Sequence, residues 1–221
     1  RGSEFDGAIL LWANPQTSQL QIIEDEKMPY IVFGRRVEHE LASYVAPDNF
    51  GGAYALTQHL ITAGHQRIGF MSRPIHGPIN IDRLAGYTQA LRDANIPLDD
   101  SLVIPTALEP NSGYHAMNAL LDLAAPPTAV FAFYDLLAVD ALRAASERGL
   151  RVPADIAIAG FDGLRSSMIT TPAITTMKQP LQHMGKEAVK LLLQHIADRD
   201  LPPSRMTYPV ELIARSSTCL A

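Results

Sequence analysis

The stretch PTAVFAFYDLLAVDALRAASERGLRVPADIAIAGFD, residues 127–162, decides the architecture of this chain. It opens on a short apolar run at 129–133. Leu137, Ala141, Leu142 and Ala145 then recur at helical spacing, which puts one apolar stripe along one side of a helix. Asp135 stands where a helix N-cap belongs, and Gly149, just after Arg148, suits the left-handed residue that ends a helix. A second apolar run follows at 156–161. Strand, helix and strand within about 30 residues make a βαβ unit, and such units build parallel sheets.

The same alternation extends outward in both directions. Short apolar runs at 6–12, 30–33, 67–71 and 102–104 read as strands, with a weaker candidate at Tyr44-Val45 before Pro47. Tyr87, Ala90, Leu91 and Ala94 form one helical stripe, and Tyr114, Met117, Leu120 and Leu121 another. Pro180 suits the first position of a helix whose Met184, Ala188, Leu191 and Leu192 face one way, up to about Ala197. The fold class expected is α/β, with mostly parallel, doubly wound sheets.

Composition removes several function classes. The net charge of −5 has the wrong sign for a surface that binds nucleic acid by itself. No apolar run approaches the ~20 residues that a membrane-spanning helix needs. Cys219 is the single cysteine, which fits a reducing compartment. The sequence carries no G-x-G-x-x-G, G-x4-GK-[ST], G-x-S-x-G, C-x-x-C or H-E-x-x-H pattern, so no enzyme, cofactor or metal is expected. His59 and His65 are too poorly spaced to share a helix face as metal ligands. The first residues, Arg1-Gly2-Ser3-Glu4-Phe5, read equally as a cloning scar or as native chain.

Open α/β sheets bind ligands at the carboxyl ends of their strands, so the residues that follow each strand are the candidates. They are Trp12 and Asn14, Arg35 with Arg36, the turn-rich loop 72–80 leading to Asp82 and Arg83, Leu108 with Glu109, Tyr134 with Asp135, and Asp162. Charged, amide and aromatic side chains in this mixture suit a polyhydroxylated small molecule. Plain structural readings stand beside these. Asp135 serves equally as a helix cap, Trp12 as core packing, and the Arg35-Arg36 pair as solvated surface. Arg83, read as opening a helix, would oppose the helix dipole there, and that favours a binding role.

Seven elements, in order, carry a resemblance. They are Asp48-Asn49-Phe50-Gly51-Gly52-Ala53; His59-Leu60 with Gly64-His65 and Ile68; Arg83-Leu84-Ala85-Gly86-Tyr87 with Ala90-Leu91; Pro127-Thr128-Ala129 with Asp135 and Ala138; Gly149-Leu150-Arg151-Val152-Pro153 running to Gly160-Phe161-Asp162; Pro172-Ala173-Ile174-Thr175-Thr176 with Gln179-Pro180 and Gly185; and Arg215-Ser216-Ser217. Together they resemble the effector-binding part of lactose-repressor (LacI/GalR) type transcription regulators.

The resemblance implies two Rossmann-like subdomains of the type I periplasmic-binding-protein kind, 1–47 with 179–208 and 48–178 with 209–221. Chain crossovers would lie near Pro47, Gln179 and Tyr208, and the effector in a cleft between the subdomains. It further implies that part of the first subdomain and the DNA-binding helix-turn-helix lie upstream of this chain. Expected partners are a saccharide effector, operator DNA through that upstream domain, and a second copy in a homodimer, all in the cytoplasm. Arg83 and Asp162 match positions that contact effectors in the family. Phe33-Gly34-Arg35 looks like the FGR of sugar-responsive members, whereas Leu108 replaces the aromatic of the purine-responsive branch. Tyr134 stands where many members carry Asn, and Asp140 where Gly is common. Neither Arg83 nor Asp162 is expected to hold the core, so replacing either should leave the unliganded melting temperature almost unchanged. An exported sugar-binding protein of a transporter is the alternative with the same fold.

Overall fold

The computed structural model describes residues 5–11, 23, 25–73, 77–107 and 109–219. The strands are β1 (Ala8–Leu11), β2 (Tyr30–Phe33), β3 (Ser43–Pro47), β4 (Ile68–Ser72), β5 (Val103–Pro105), β6 (Ala129–Ala132), β7 (Ala157–Asp162), β8 (Thr175–Lys178), β9 (Arg205–Tyr208) and β10 (Glu211–Ile213). The helices used below are α1 (Asn49–Thr62), α2 (Pro78–Asp93), α3 (Ser112–Leu121), α4 (Asp135–Glu147) and α5 (Leu181–Ala197). The chain divides into two compact units, Arg1–Asp48 with Pro180–Pro209 and Asn49–Gln179 with Val210–Ala221.

The first unit is a four-stranded parallel sheet in the order β1-β2-β3-β9. Side chains alternate across it as strand geometry requires. Ile31 and Val45 join Met184, Ala188 and Leu191 of α5 in one cluster. Tyr30 and Val32 join Ala42 in another. The α5 residues recur at i, i+4 and i+7, which gives that helix its buried stripe.

The second unit holds the larger core. Its six strands run in the order β10-β8-β7-β6-β4-β5, all parallel except β10, which pairs antiparallel with β8. Neighbouring residues on two strands show that the sheet is covered on both faces. On β4, Gly69 faces Leu120 of α3, while Phe70 stacks on Tyr87 of α2 at 5.2 Å. On β7, Gly160 faces Asp135 and Ala138 of α4, while Phe161 lies against Gly52 of α1. Helices α1 and α2 therefore cover one face, and α3 and α4 the other. Fully buried Phe70, Phe131 and Phe161 form an aromatic row across β4, β6 and β7. Tyr87 is also fully buried, and its hydroxyl donates to the Ile68 carbonyl at 2.7 Å.

Three strands lie beyond the sequence reading. Threonine-rich β8, alternating β9 and three-residue β10 carry too little apolar periodicity to announce themselves, and their partner strands define them.

Candidate functional site

The six-stranded sheet reverses direction between β4 and β6: the chain leaves β4 for β5 on one side and returns to β6 on the other. Doubly wound folds open their ligand crevice at the carboxyl ends of the strands flanking such a reversal. Ser72 ends β4 and Arg73 follows it, and Phe133 and Tyr134 follow β6. The loops are tied together by hydrogen bonds from Phe133 N to Met71 O (3.0 Å) and from Thr106 N to Ser72 O (2.7 Å). The Arg73 guanidinium lies 5.7 Å from the Tyr134 ring centroid and reaches the Tyr134 hydroxyl at 3.5 Å, the outer limit of a hydrogen bond.

Arg83 is the centre of this region. It lies beyond the first turn of α2, which Pro78 opens earlier than the sequence suggested, so the dipole argument for Arg83 does not apply. Its side chain is only 3% exposed. Nε donates to Asn49 Oδ1 at 2.9 Å, Nη1 donates to the Phe133 carbonyl, and Nη2 meets Asp162 Oδ1 at 3.1 Å. The guanidinium carbon sits 3.6 Å from the Phe161 ring centroid and 4.6 Å from that of Phe133. Burial lowers the Arg83 pKa while Asp162 opposes the shift, and a guanidinium so placed keeps its charge. The expectation that Arg83 is free of structural duty is therefore corrected. From α2 it ties together α1, the end of β6 and β7, and its removal leaves three acceptors without their donor at once.

Asp162 ends β7 with φ at +106°, in the left-handed region, and Gly163 follows at +73°. The Asp162 side chain is 25% exposed. Oδ1 accepts from Arg83 and from Gln179 Nε2 at 2.6 Å, and among the described residues Oδ2 accepts no hydrogen bond. Burial raises the Asp162 pKa against the opposing pull of Arg83 and Gln179.

Asp135 is not the N-cap that its sequence position suggested. Tyr134 caps α4 without a side-chain bond, and Asp135 is the first helical residue. It is fully buried, with Oδ1 accepting from Thr176 Oγ1 and Oδ2 from Leu164 N, both at 2.6 Å. Burial pushes its carboxyl up to about 6.

The remaining candidates are distributed as follows. Arg35 follows β2 in the first unit, 7% exposed, where burial lowers its pKa, and Gly34 before it turns the chain at φ +91°. Trp12, Asn14 and Leu108 lie outside the described residues. Arg73 lies in the candidate loop 72–80 without having been singled out there, and three residues beside Arg83, Asp162 and Asp135 escaped the sequence reading: Asn49, Thr176 and Gln179. All three stand inside elements that carry the family resemblance, and Thr176 and Gln179 lie on or just after a strand of the sheet. An open groove of about 280 Å³ runs instead along β5 and α3, between Pro105, Glu109 and His115. Among the described residues no cluster of three or more His, Cys, Asp or Glu side chains is placed to hold a metal, and no helix is long and apolar enough to cross a membrane.

The doubly wound sheet thus carries a partly buried arginine–aspartate pair at its strand ends, where folds of this class bind small molecules. Residues 57–218 match the periplasmic binding protein-like domain, and the chain belongs to that family, in the form carried by LacI-type transcriptional regulators. It is 36% identical over 218 residues to the HTH-type transcriptional regulator CelR of Thermobifida fusca, covering 98% of this chain and 64% of that protein. It is 32% identical over 216 residues to the HTH-type transcriptional repressor PurR of Actinobacillus pleuropneumoniae, covering 96% and 64%. The chain thus spans less than two thirds of the length of these curated relatives. Among solved structures, a transcriptional regulator CelR–cellobiose complex superposes with a TM-score of 0.92 at 35% identity, covering 98% of this chain and 67% of that one. A LacI family regulator from Enterococcus faecium with bound ribose superposes at 0.87 and 31% identity, covering 96% and 78%.

Proposed function

We propose that this chain is the effector-sensing part of a LacI-type transcriptional regulator and that its effector is a saccharide. The observation that carries the reading is the Arg83–Asp162 pair at the strand ends. Of the five guanidinium N–H groups, three are committed to Asn49, Phe133 and Asp162. The partly open Asp162 carboxylate offers Oδ2 as an acceptor for a sugar hydroxyl, and Tyr134 and Arg73 add an aromatic face and donors nearby. Asp135 acts from behind this surface, while Arg35, Trp12, Asn14 and Leu108 are proposed as effector contacts on their sequence positions alone. The relatives named above are transcription regulators, one solved with cellobiose and one with ribose, which favours this reading over a transporter component.

On this proposal the whole protein binds operator DNA through a domain outside this chain, works in the cytoplasm as a homodimer, and performs no catalysis. Effector shifts its population between DNA-binding states by differential affinity for them. The test is a calorimetric screen with cellobiose, ribose, glucose, sugar phosphates and purines. A saccharide should bind wild type, and Asp162→Asn should weaken it by about tenfold, the loss of one charge-assisted hydrogen bond. Binding of purines alone would overturn the saccharide reading. Equal affinity in wild type and Asp162→Asn would overturn the site.

A further inference from the structure

We infer that Asp135 and Thr176 are positioning residues, which together hold the backbone turn that aims Asp162 at its ligand; the inference rests on the saccharide reading of the Asp162 site. The turn needs holding. A non-glycine residue at φ +106° is strained and persists only where its surroundings over-determine it.

Those surroundings are specific. Gly163 N–H donates to Thr176 Oγ1 at 3.2 Å, and the Thr176 hydroxyl passes its own hydrogen to Asp135 Oδ1 at 2.6 Å. The next amide, Leu164 N–H, donates to Asp135 Oδ2 at 2.6 Å. Two successive backbone amides after Asp162 therefore end on one hydroxyl–carboxylate couple. The couple is built by three elements: Thr176 lies on β8 opposite Gly160 of β7, and Asp135 starts α4. The Asp135 carboxylate lies over Gly160, where a Cβ would come within 2.4 Å of Oδ1. The helix N-terminus supplies a field that favours the buried anion. Asp135 and Thr176 are both fully buried, so neither touches a ligand, and any effect on binding passes through Asp162.

The experiment compares Thr176→Val with Thr176→Ser in the full chain. It reads amide hydrogen exchange at Gly163 and Leu164, the carbon-13 titration of the Asp162 carboxyl, and cellobiose and ribose affinity by calorimetry. Valine keeps the shape and removes the hydroxyl, so exchange at Gly163 should accelerate by about tenfold, the loss of one part-buried hydrogen bond. The Asp162 titration should move and sugar affinity should fall by a similar factor. Serine should restore all three. Unchanged exchange, or accelerated exchange with an unmoved Asp162 titration, overturns the inference. If wild type binds neither sugar, the saccharide reading loses its support, and exchange together with the Asp162 titration decides the positioning role alone. Should Thr176→Val fail to fold, Thr176→Ala, which also removes the hydroxyl, carries the same three measurements.

Discussion

Replacing Arg83 with methionine should lower the melting temperature of the unliganded chain by about 6–12 °C. The side chain is 3% exposed and donates to Asn49, Phe133 and Asp162. Truncating one member of a buried ion pair costs about 3–5 kcal/mol, because the partner stays behind without compensation. Two features pull this toward the lower end: Asp162 is a quarter exposed, and Gln179 still donates to its Oδ1. A net cost of about 3 kcal/mol converts at ~2–4 °C per kcal/mol for a chain of this size. Arg83→Lys should recover little, since one ammonium cannot reproduce the fork that bonds three separate acceptors. In the double variant with Asp162→Asn, the loss should be smaller than the sum of the two single losses, since each single change strands the other partner. Differential scanning calorimetry of wild type, the three single variants and the double variant makes the comparison. A melting temperature for Arg83→Met within about 2 °C of wild type would refute the reasoning, as would strict additivity in the cycle.

Other consequences follow from groups around the same core. Asp135 holds its proton more tightly folded than unfolded, because burial raises its pKa from 3.8 to about 6. Its contribution is therefore most favourable below pH 4 and is lost as pH rises towards 6, by about 3 kcal/mol. The stability of Asp135→Asn relative to wild type should thus be higher at pH 7 than at pH 4.5, and parallel stability curves would contradict the burial argument. At Gly86, a Cβ would approach Phe50 O to 2.3 Å and Tyr54 N to 2.9 Å, both backbone atoms of α1. Gly86→Ala should therefore cost about 1–3 kcal/mol by forcing α1 and α2 apart. Gly77→Ala, with open space around the added atom, serves as the control that should melt nearly as wild type does.

The parts of the fold that were legible share one property: their signal is local. In the stretch 127–162, the apolar runs became β6 and β7, the i, i+4 stripe became the buried side of α4, and Gly149 adopts φ +74° after Arg148. Strands β8, β9 and β10 depend on partners distant in sequence. Arg205–Tyr208 is an alternating tetrapeptide until its pairing with β3 makes it a strand.

The site divides in the same way. That Asp162 falls at a strand end follows from the apolar run before it, and that Arg83 lies on a helix follows from the Tyr87 stripe after it. That the two are bonded, with Asn49 as a second partner of Arg83 and Gln179 as a second partner of Asp162, depends on α1, α2 and β7 meeting, which no spacing in the sequence encodes. Asp135 shows how little separates the two cases. One residue earlier it would have been an N-cap, its oxygens turned back to the amides of its own helix. At the first helical position its carboxylate instead points across β7 to Thr176 and Leu164. A one-residue shift in where the helix begins thus moves the residue from a local duty to a tertiary one, and helix boundaries are where sequence patterns are least sharp. The residues of the candidate site are accordingly those whose placement is set by a boundary or by a distant partner.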